Sequence, residues 1–453
     1  MNRRCWLVIL LTVTIILGGI LSYLIIYNWQ TSRRACRPEV FGICEPLTAR
    51  HLQENLSLQQ SFETLKQLGV KRLREWTWMK VLLVNPTTLN QTSAETLNHV
   101  LSATAAYNIT VMGMAHDFPD WMTGINGDSQ AVPRRNTTLG SEYMKFLEKY
   151  KESWKTLAAA FPNITLWEIG NEFNLNTFLH PPEFPKHNFS LQEKADITTD
   201  LLYYGSLGIH EGNPKAKTVL GGLAPDPDIN GIAVFLEKLY QNIKSGEWPS
   251  TRPDDYFQIV CWHPYLFHEE LTVSNWVNPN KAVYNVMKNY GDGEKPVFFS
   301  EFGYSDCDVS QENISKYLRE AFQLSTAFPW LETIYWFRLI DPAPHTVSTD
   351  NPQGYGIINL NWTWKPAAYT YQSMTKDTDN FQWANLLLNA AKTPCKPLKR
   401  CSNQDISTFG ILILNHDSLS SFGVKLDRRQ LCKMLKNYGY SDKAVKAILE
   451  WYK

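Results

Sequence analysis

The chain has 453 residues, of which 44% are hydrophobic and 19% are charged, so it can bury the core of one large domain or two ordinary ones. Its 44 basic and 44 acidic residues give a net charge of zero, and nothing in the composition indicates nucleic acid or another polyanion as a partner. The composition is that of a globular protein.

The first predicted element is an apolar stretch at residues 6–27, about as long as the ~20 residues that a bilayer-spanning helix requires. It exceeds the apolar core of a cleaved signal peptide, and no convincing small-x-small cleavage motif follows it. We therefore expect a signal anchor, with residues 1–5 in the cytosol and residues 28–37 as a linker. This is the arrangement of a single-pass type II membrane protein, and secretion after signal cleavage is the alternative.

Two features of the remaining chain predict a luminal or extracellular location. Acceptor triplets for N-linked glycans, Asn-x-Ser/Thr, begin at Asn55, Asn90, Asn108, Asn136, Asn163, Asn188, Asn313 and Asn361. Seven of the eight cysteines follow the apolar stretch and none forms a CxxC pair, which favours disulfides over a metal site. These cysteines are Cys36, Cys44, Cys261, Cys307, Cys395, Cys401 and Cys432. Cys36 with Cys44, and Cys395 with Cys401, are close enough in sequence to pair.

Residues 38–378 alternate compact apolar runs with longer segments of helical spacing, which is typical of repeated strand-helix units around a parallel sheet. The predicted strands are 40–43, 71–74, 109–114, 164–170, 218–223, 256–261, 296–300 and 333–337. Predicted helices between them include 52–68, 141–160, 191–209 and 314–327. Eight such units predict a (β/α)8 TIM barrel. An open doubly wound sheet is the alternative, but no GxGxxG or GxxxxGK[ST] motif follows the first strand.

Residues 379–453 form a predicted C-terminal extension in which the regular alternation ends. Residues 427–453 have the pattern of a helical hairpin, in which Gly439 and Ser441 mark the end of one helix and the start of the next. The second helix carries an amphipathic stripe, which we expect to dock on a neighbouring domain. The sequence predicts no function for this extension.

Two carboxylates follow strands of the predicted barrel. Glu172 comes directly after the fourth strand, in Gly170-Asn171-Glu172, and Glu301 ends the seventh. Reacting groups of such barrels lie at the carboxyl ends of the strands. A single Glu after a strand is usually a solvated loop residue. A pair at these two strand ends instead indicates cleavage of a glycosidic bond, which needs one carboxyl group to protonate the leaving oxygen and another to attack or to activate water.

This arrangement resembles that of the clan A glycoside hydrolases, which are (β/α)8-barrel retaining enzymes. The resemblance implies that Glu172 is the acid/base and Glu301 the nucleophile of a retaining β-glycosidase that acts on a carbohydrate without a metal or cofactor. It extends along the barrel through short motifs: Arg74 in KRLREW, His116 and Trp121 in AHDFPDW, His263 and Tyr265 in CWHPYLF, Trp336 in IYWFRL, and the segment YGIINLNWTWKPAAY. The clan covers glucosides, mannosides, xylans, galactans and glycosaminoglycans alike.

The residue types indicate how these positions would act. Arg74 and the hydroxyl of Tyr265 would keep Glu301 ionised by charge and hydrogen bonding. The expected sugar contacts are Asn171 with the 2-hydroxyl, His116 and His263 with other hydroxyls, and Trp121 and Trp336 with the apolar ring faces. The alternative from another functional class is a catalytically inactive glycan-binding or adhesion protein on the same barrel, because a fold does not establish catalysis.

Regular strand geometry conflicts with part of this assignment. Side chains alternate along a strand, so Asn171 would lie on one side while Glu168 and Glu172 lie on the other. Our hypothesis is that the chain leaves regular pairing around Gly170, which turns Glu172 towards the cleft beside Asn171. Glu168 would then lie below this break as a buried carboxylate that needs a partner.

Overall fold

The structure is a computed structural model that describes residues 40–325, 328, 330–342 and 354–376. The predicted anchor, its flanking segments and the C-terminal extension lie outside these residues, as do Cys36, Cys395, Cys401 and Cys432. Among the described residues, no helix combines the length and the apolar character that crossing a bilayer requires.

Eight parallel strands form the centre of the molecule. They are β1 (Phe41–Cys44), β2 (Arg72–Trp76), β3 (Thr110–Ala115), β4 (Leu166–Asn171), β5 (Lys217–Gly222), β6 (Val260–Trp262), β7 (Val297–Phe302) and β8 (Leu331–Phe337). Their hydrogen-bonded order is β5-β4-β3-β2-β1-β8-β7-β6. Two bridges, Val219 with Ile259 and Leu223 with Trp262, bring the end strands β5 and β6 together. The sheet is therefore a near-closed barrel, and the predicted (β/α)8 architecture is confirmed in place of the open sheet.

A helix follows each strand along the chain. These helices are α1 (Leu58–Leu68), α2 (Gln91–Ala106), α3 (Glu142–Ala160), α4 (Leu191–Gly212), α5 (Ile229–Ser245), α6 (Asn278–Asn289), α7 (Gln311–Ser325) and α8 (Pro366–Lys376). Shorter pieces lie in the loops: helices Leu47–Glu54, Met79–Leu82 and Asp120–Thr123, a hairpin of Leu83–Asn85 with Thr88–Leu89, a 3-10 turn at Pro253–Asp255 and a π-helical turn at Val273–Val277.

Capping residues explain where several helices begin. Ser141 and Ser190 accept hydrogen bonds from the backbone N–H groups three residues on, and Ser190 with Glu193 completes a capping box at the start of α4. The helix predicted at residues 52–68 is instead two helices. Asn55 takes a left-handed backbone conformation (φ 55°) that ends the first helix, and Ser57 caps the second.

The barrel separates two apolar layers. The larger lies between strands and helices, and the smaller is formed by side chains that point inward from the strands, among them Met112, Val219, Phe298 and Tyr335. Cys44 and Cys261 belong to the inner layer and are free thiols. Cys36, which is close enough in sequence to pair with Cys44, lies outside the described residues. Burial raises the pKa of the Cys44 thiol to about 12, which keeps it protonated.

Candidate active site

The backbone turns sharply where β4 ends. Gly170 (φ 89°) and Glu172 (φ 51°) both take left-handed conformations, on either side of Asn171. A Cβ atom at position 170 would lie 2.3 Å from the ring of Phe173, so glycine suits both the backbone angle and the space. The backbone N–H of Glu172 donates to the carbonyl of Gly222 at the end of β5, at 2.7 Å. This break in the strand lets Asn171 and Glu172 both reach the mouth of the barrel, as the alternation of a regular strand would not.

Glu172 lies against a buried histidine. Its Oε1 atom is 2.7 Å from Nδ1 of His263, which follows β6, and the Glu172 side chain is 14% exposed whereas that of His263 is fully buried. The other ring nitrogen, Nε2, is 3.1 Å from Oγ of Ser300 on β7. Both nitrogens of His263 are therefore occupied, one of them by Glu172.

Glu301 near the end of β7 is the second carboxylate of the site. Arg74 donates from Nη1 to its Oε1 at 2.5 Å, and the hydroxyl of Tyr265 donates to its Oε2 at 3.1 Å. His263 Nδ1 lies 3.9 Å from the same Oε2. One atom each of Glu172, His263 and Glu301 lie within 4.8 Å of one another. The fold thus brings together two carboxyl groups that are separated by 129 residues of sequence.

Arg74 on β2 binds three acidic or amide groups at once. Its Nε and Nη2 atoms contact the two oxygens of Glu168 at 2.5 and 3.2 Å, and Nη2 also donates to Oδ1 of Asn171 at 2.8 Å. Glu168 is fully buried and accepts a further hydrogen bond from the Gly222 N–H at 2.9 Å. Glu168 is thus the buried partner of a guanidinium and does not face the cleft.

These contacts determine the ionisation of Glu301. Burial acts to raise its pKa, but the charges of His263 and Arg74, with hydrogen bonds from Arg74 and Tyr265, outweigh burial and lower the pKa below its usual range. The nearby carboxylates likewise raise the pKa of Arg74 despite its burial. Glu301 is therefore held as a carboxylate, which is the form a nucleophile needs.

Two residues that were predicted to contact the sugar, Trp336 and Trp121, pack in or against the core between strands and helices. Trp336 is fully buried and belongs to the layer between strands and helices, where its ring meets that of Phe302 edge-on at 5.7 Å. Its neighbour Phe337 belongs to the inner layer and stacks near Trp76 at the mouth. Trp336 therefore faces the helices and Phe337 faces the inside of the barrel, because successive side chains on β8 face opposite sides. This placement does not support the expected contact of Trp336 with a sugar. Trp121 packs against the outer core, and its carbonyl accepts from Lys149 of α3.

His263 and His116 were predicted to bind sugar hydroxyls, but their ring nitrogens contact other side chains. His263 is fully buried and binds Glu172 and Ser300, so it positions the carboxyl group and does not offer a free nitrogen to a sugar hydroxyl. The indole N–H of Trp78 donates to Nε2 of His116 at 3.0 Å, which makes that nitrogen an acceptor. Burial lowers the pKa of His116 to about 4 and keeps the ring neutral.

Ser300 and Gly222 are site residues that sequence reasoning missed. Ser300 directly precedes Glu301, and on a regular strand it would point away from its neighbour. Gly222 closes β5, and a Cβ atom there would lie 2.0 Å from His263 Nε2 and 2.5 Å from Ser300 Oγ. The glycine pair Gly221-Gly222 at a strand end was the available signal, because glycine within a strand often marks close approach by another group.

Glu172, His263 and Glu301 are also groups that can offer ligand atoms to a metal ion. Arg74 and Tyr265 already donate to both oxygens of Glu301, and the guanidinium charge opposes a second cation beside it. The donor set therefore suits acid-base and nucleophilic chemistry better than metal binding.

Comparison with known proteins supports the fold. No protein-family profile matches the chain, and no curated protein sequence matches it. A subfamily GH5_18 structure from Streptomyces cattleya in complex with GlcNAc superposes with a TM-score of 0.53 at 14% identity, covering 91% of this chain and 96% of that one. The family 1 β-glucosidase of Thermotoga maritima, with isofagomine lactam, gives 0.51 at 15% identity, covering 75% and 98%.

A family 39 glycoside hydrolase from Bacteroides cellulosilyticus superposes with a TM-score of 0.53 at 15% identity and covers 76% of this chain. This chain spans only 64% of the length of that structure. At such identities the similarity shows the fold alone: a (β/α)8 barrel of the kind found in clan A glycoside hydrolases.

Proposed function

We propose that this protein is a retaining β-glycoside hydrolase that acts through a covalent glycosyl-enzyme. The observation that carries the proposal is the pairing of Glu172 with Glu301, whose nearest oxygens lie within 4.8 Å. Retaining enzymes hold their two carboxyl groups about 5–5.5 Å apart, whereas inverting enzymes need about 6.5–9.5 Å to admit a water. The short separation supports retention.

The groups at the site have the properties that this mechanism needs. Glu301, held ionised by Arg74 and Tyr265, attacks the anomeric carbon while Glu172 gives its proton to the leaving oxygen. Glu172, now a carboxylate, then takes a proton from a water molecule. The oxygen of that water bonds to the anomeric carbon as the bond between this carbon and Glu301 breaks. Both carboxyl groups end the cycle in their starting states.

His263 and Ser300 orient the proton on Glu172. Nδ1 of His263 donates to Oε1 of Glu172, and Nε2 contacts the Ser300 hydroxyl. The catalytic proton is then carried by the other oxygen of Glu172 and is free to reach the substrate. Asn171, held by Arg74 through its Oδ1, keeps its amide N–H groups for a sugar hydroxyl.

We place the barrel on the luminal or extracellular side of a membrane, anchored through residues 6–27 or secreted. All eight asparagines of the Asn-x-Ser/Thr triplets are exposed, which supports access by a glycosylating enzyme. The rival from another functional class is an inactive glycan-binding or adhesion protein. The intact carboxylate pair and the ionised state of Glu301 favour hydrolysis over that rival.

Replacing the acid tests the proposal. Glu172→Gln removes the proton donor, so kcat/KM should fall by about 10²–10⁴ for 4-nitrophenyl β-glycosides and much less for 2,4-dinitrophenyl β-glycosides, whose leaving group needs no proton. The substrates are the glucosides, mannosides, xylosides and galactosides. Glu183→Gln, in the exposed loop that also follows β4, is the matched control and should change neither value. Equal losses for both leaving groups would show that Glu172 is not the acid.

A further inference from the structure

Phe267, in the loop after β6, has an unusual combination of exposure and backbone conformation. Its backbone has φ 56°, and the N–H of Glu269 donates to the carbonyl of Leu266, so Phe267 sits early in a tight turn. The side chain is 47% exposed, and within the described part of the chain only Tyr369 is a more exposed aromatic residue.

This conformation costs energy that another residue would avoid. Glycine or asparagine adopts a left-handed backbone readily, whereas a bulky aromatic there is a genuine outlier. Burial of the ring does not compensate, because Phe267 leaves about half of its surface in water. Residues held in such conformations cluster at binding and active sites, so the outlier motivates a hypothesis of function.

The ring of Phe267 extends the aromatic wall of the site. It stacks on Tyr265 with ring centroids 5.8 Å apart and an interplanar angle of 14°. Tyr265 in turn donates its hydroxyl to Glu301, and its ring contacts those of Phe302 and Tyr355. A row of rings thus leads from the carboxylate Glu301 outward to solvent and ends at Phe267.

The turn that carries Phe267 is fixed at several points. The hydroxyl of Tyr304 donates to the carbonyl of Glu269 at 2.9 Å. Asn275 donates to the carbonyl of Glu270 at 2.9 Å, and the side chain of Glu270 forms an ion pair with Lys316 on α7. The ring is therefore presented on a supported turn, which lowers the entropy cost of binding a ligand against it.

We propose that Phe267 is the stacking platform of a second sugar-binding subsite, next to the subsite where the bond is cleaved. The apolar C–H face of a pyranose would lie on its exposed face, while the exposed polar groups of His268 and Glu269 bind the hydroxyls. The ligand is an oligosaccharide of at least two sugar units. This inference rests on the proposed function, because it places the platform relative to Glu301.

The test uses Phe267→Asn, a residue that tolerates the left-handed backbone. The probes are β-linked tetraoses of glucose, mannose, xylose and N-acetylglucosamine, and the β-glycosyl fluorides of the same sugars, which fill only the cleavage subsite. For the best tetraose we expect KM to rise about tenfold, within what an aromatic contact contributes. We expect kcat/KM for the fluoride to stay unchanged and the thermal unfolding midpoint to stay equal or rise. Tyr369→Ala on α8 is the exposed-aromatic control and should leave all three values unchanged.

The outcomes separate this inference from the function on which it rests. An unchanged KM for tetraoses in an enzyme that cleaves them would overturn the platform and leave the hydrolase proposal intact. If no tetraose is cleaved, calorimetric titration with the same tetraoses decides: weaker binding to Phe267→Asn than to the unsubstituted protein supports the platform. Equal binding to both proteins, or binding to neither, overturns it.

Discussion

Arg74 is the residue on which the electrostatics of the site depend. A single buried guanidinium contacts Glu168 and Asn171 on β4 and Glu301 on β7. A planar fork of five N–H donors can serve such divergent partners, whereas an ammonium group cannot. The sequence predicted that Arg74 acts on Glu301, but the contact with Glu168 needed the register between β2 and β4, which a single sequence does not contain.

Removing this guanidinium should affect stability and pH dependence together. Arg74→Met leaves two buried carboxylates without their cation, which should lower the free energy of unfolding by about 3–5 kcal/mol. Because Arg74 helps to lower the pKa of Glu301, its loss raises that pKa. The acidic limb of the pH profile of kcat/KM should therefore move to higher pH. Denaturant titration and a pH-rate profile measure the two effects.

Arg72→Met is the matched control on the same strand. Arg72 pairs with Glu332 at 3.5 Å and lies over the Phe298 ring at 5.0 Å, so its replacement removes some packing but no contact with Glu168 or Glu301. It should leave the pH profile unchanged. An Arg74→Met enzyme whose acidic limb stays in place, or moves to lower pH, would contradict the electrostatic role assigned to Arg74.

The lowered pKa of Glu301 also makes stability depend on pH. Its folded pKa lies below the unfolded value of about 4.3, so its stabilising contribution is present above that value and is lost as pH falls through the folded pKa. Arg74→Met should weaken this acid sensitivity, because the variant loses the interaction that favours the charged form.

The ends of the strands position the site through backbone groups as well as through side chains. Gly222, the last residue of β5, donates to Glu168, accepts from Glu172 and leaves room for His263. All eight predicted strands overlap observed ones, because the pattern of apolar runs is local, although the sixth, predicted at residues 256–261, begins only at Val260. The break around Gly170 was predicted from the alternation of side chains, but the left-handed conformation of Glu172 itself was not, because glutamate has no preference for it and tertiary contacts impose it.

Gly222→Ala should therefore impair catalysis more than folding. The new methyl group would meet His263 Nε2 and Ser300 Oγ, which displaces His263 from Glu172. We expect kcat/KM for substrates with poor leaving groups to fall at least about tenfold, since general acid catalysis contributes about 10²–10⁴. Steady-state kinetics with circular dichroism at the same temperature separates the loss of activity from unfolding.

Gly293→Ala is the control for a glycine substitution. A Cβ atom there would chiefly meet the side chain of Lys288 before β7, away from the carboxylates. Its activity should match that of the unsubstituted protein. A Gly222→Ala enzyme with full activity on poor leaving groups would mean that His263 does not orient Glu172.

The alternation of side chains along β8 explains why the sequence pointed to Trp336. The motif IYWFRL suggested Trp336, and the strand was placed correctly at residues 333–337. The direction in which each side chain points was predicted incorrectly. A fully buried barrel strand is apolar on both faces, so its composition does not distinguish inward from outward positions. The inward residues are Tyr335 and Phe337, as their contacts with Phe298 and Trp76 show.

The exposed surface of the barrel bears on the predicted location of the protein. The eight acceptor asparagines are distributed over loops and helix ends around the barrel, and each is exposed. Produced as the full chain in glycosylating eukaryotic cells, the protein should lose mass on treatment with peptide N-glycosidase. The enzyme converts each glycosylated asparagine to aspartate, which peptide mass spectrometry locates.

Asn98 is the internal control for that experiment. It is exposed, begins no acceptor triplet and is not followed by glycine, which would promote spontaneous deamidation, so it should remain asparagine after treatment. Conversion at several of the eight positions would support a luminal or extracellular barrel. No conversion at any of them would contradict it, without bearing on the chemistry of the site.

Covalent trapping distinguishes the roles of the two carboxylates at the barrel mouth. The full chain is incubated with 2-deoxy-2-fluoro-β-glycosyl fluorides of glucose, mannose, xylose and galactose, and the labelled peptide is identified by mass spectrometry. We expect one fluorosugar per chain, attached to Glu301, whose lowered pKa keeps it ionised and able to attack. Attachment to Glu172 or Glu168, or turnover of a glycoside with inversion at the anomeric carbon, would contradict it.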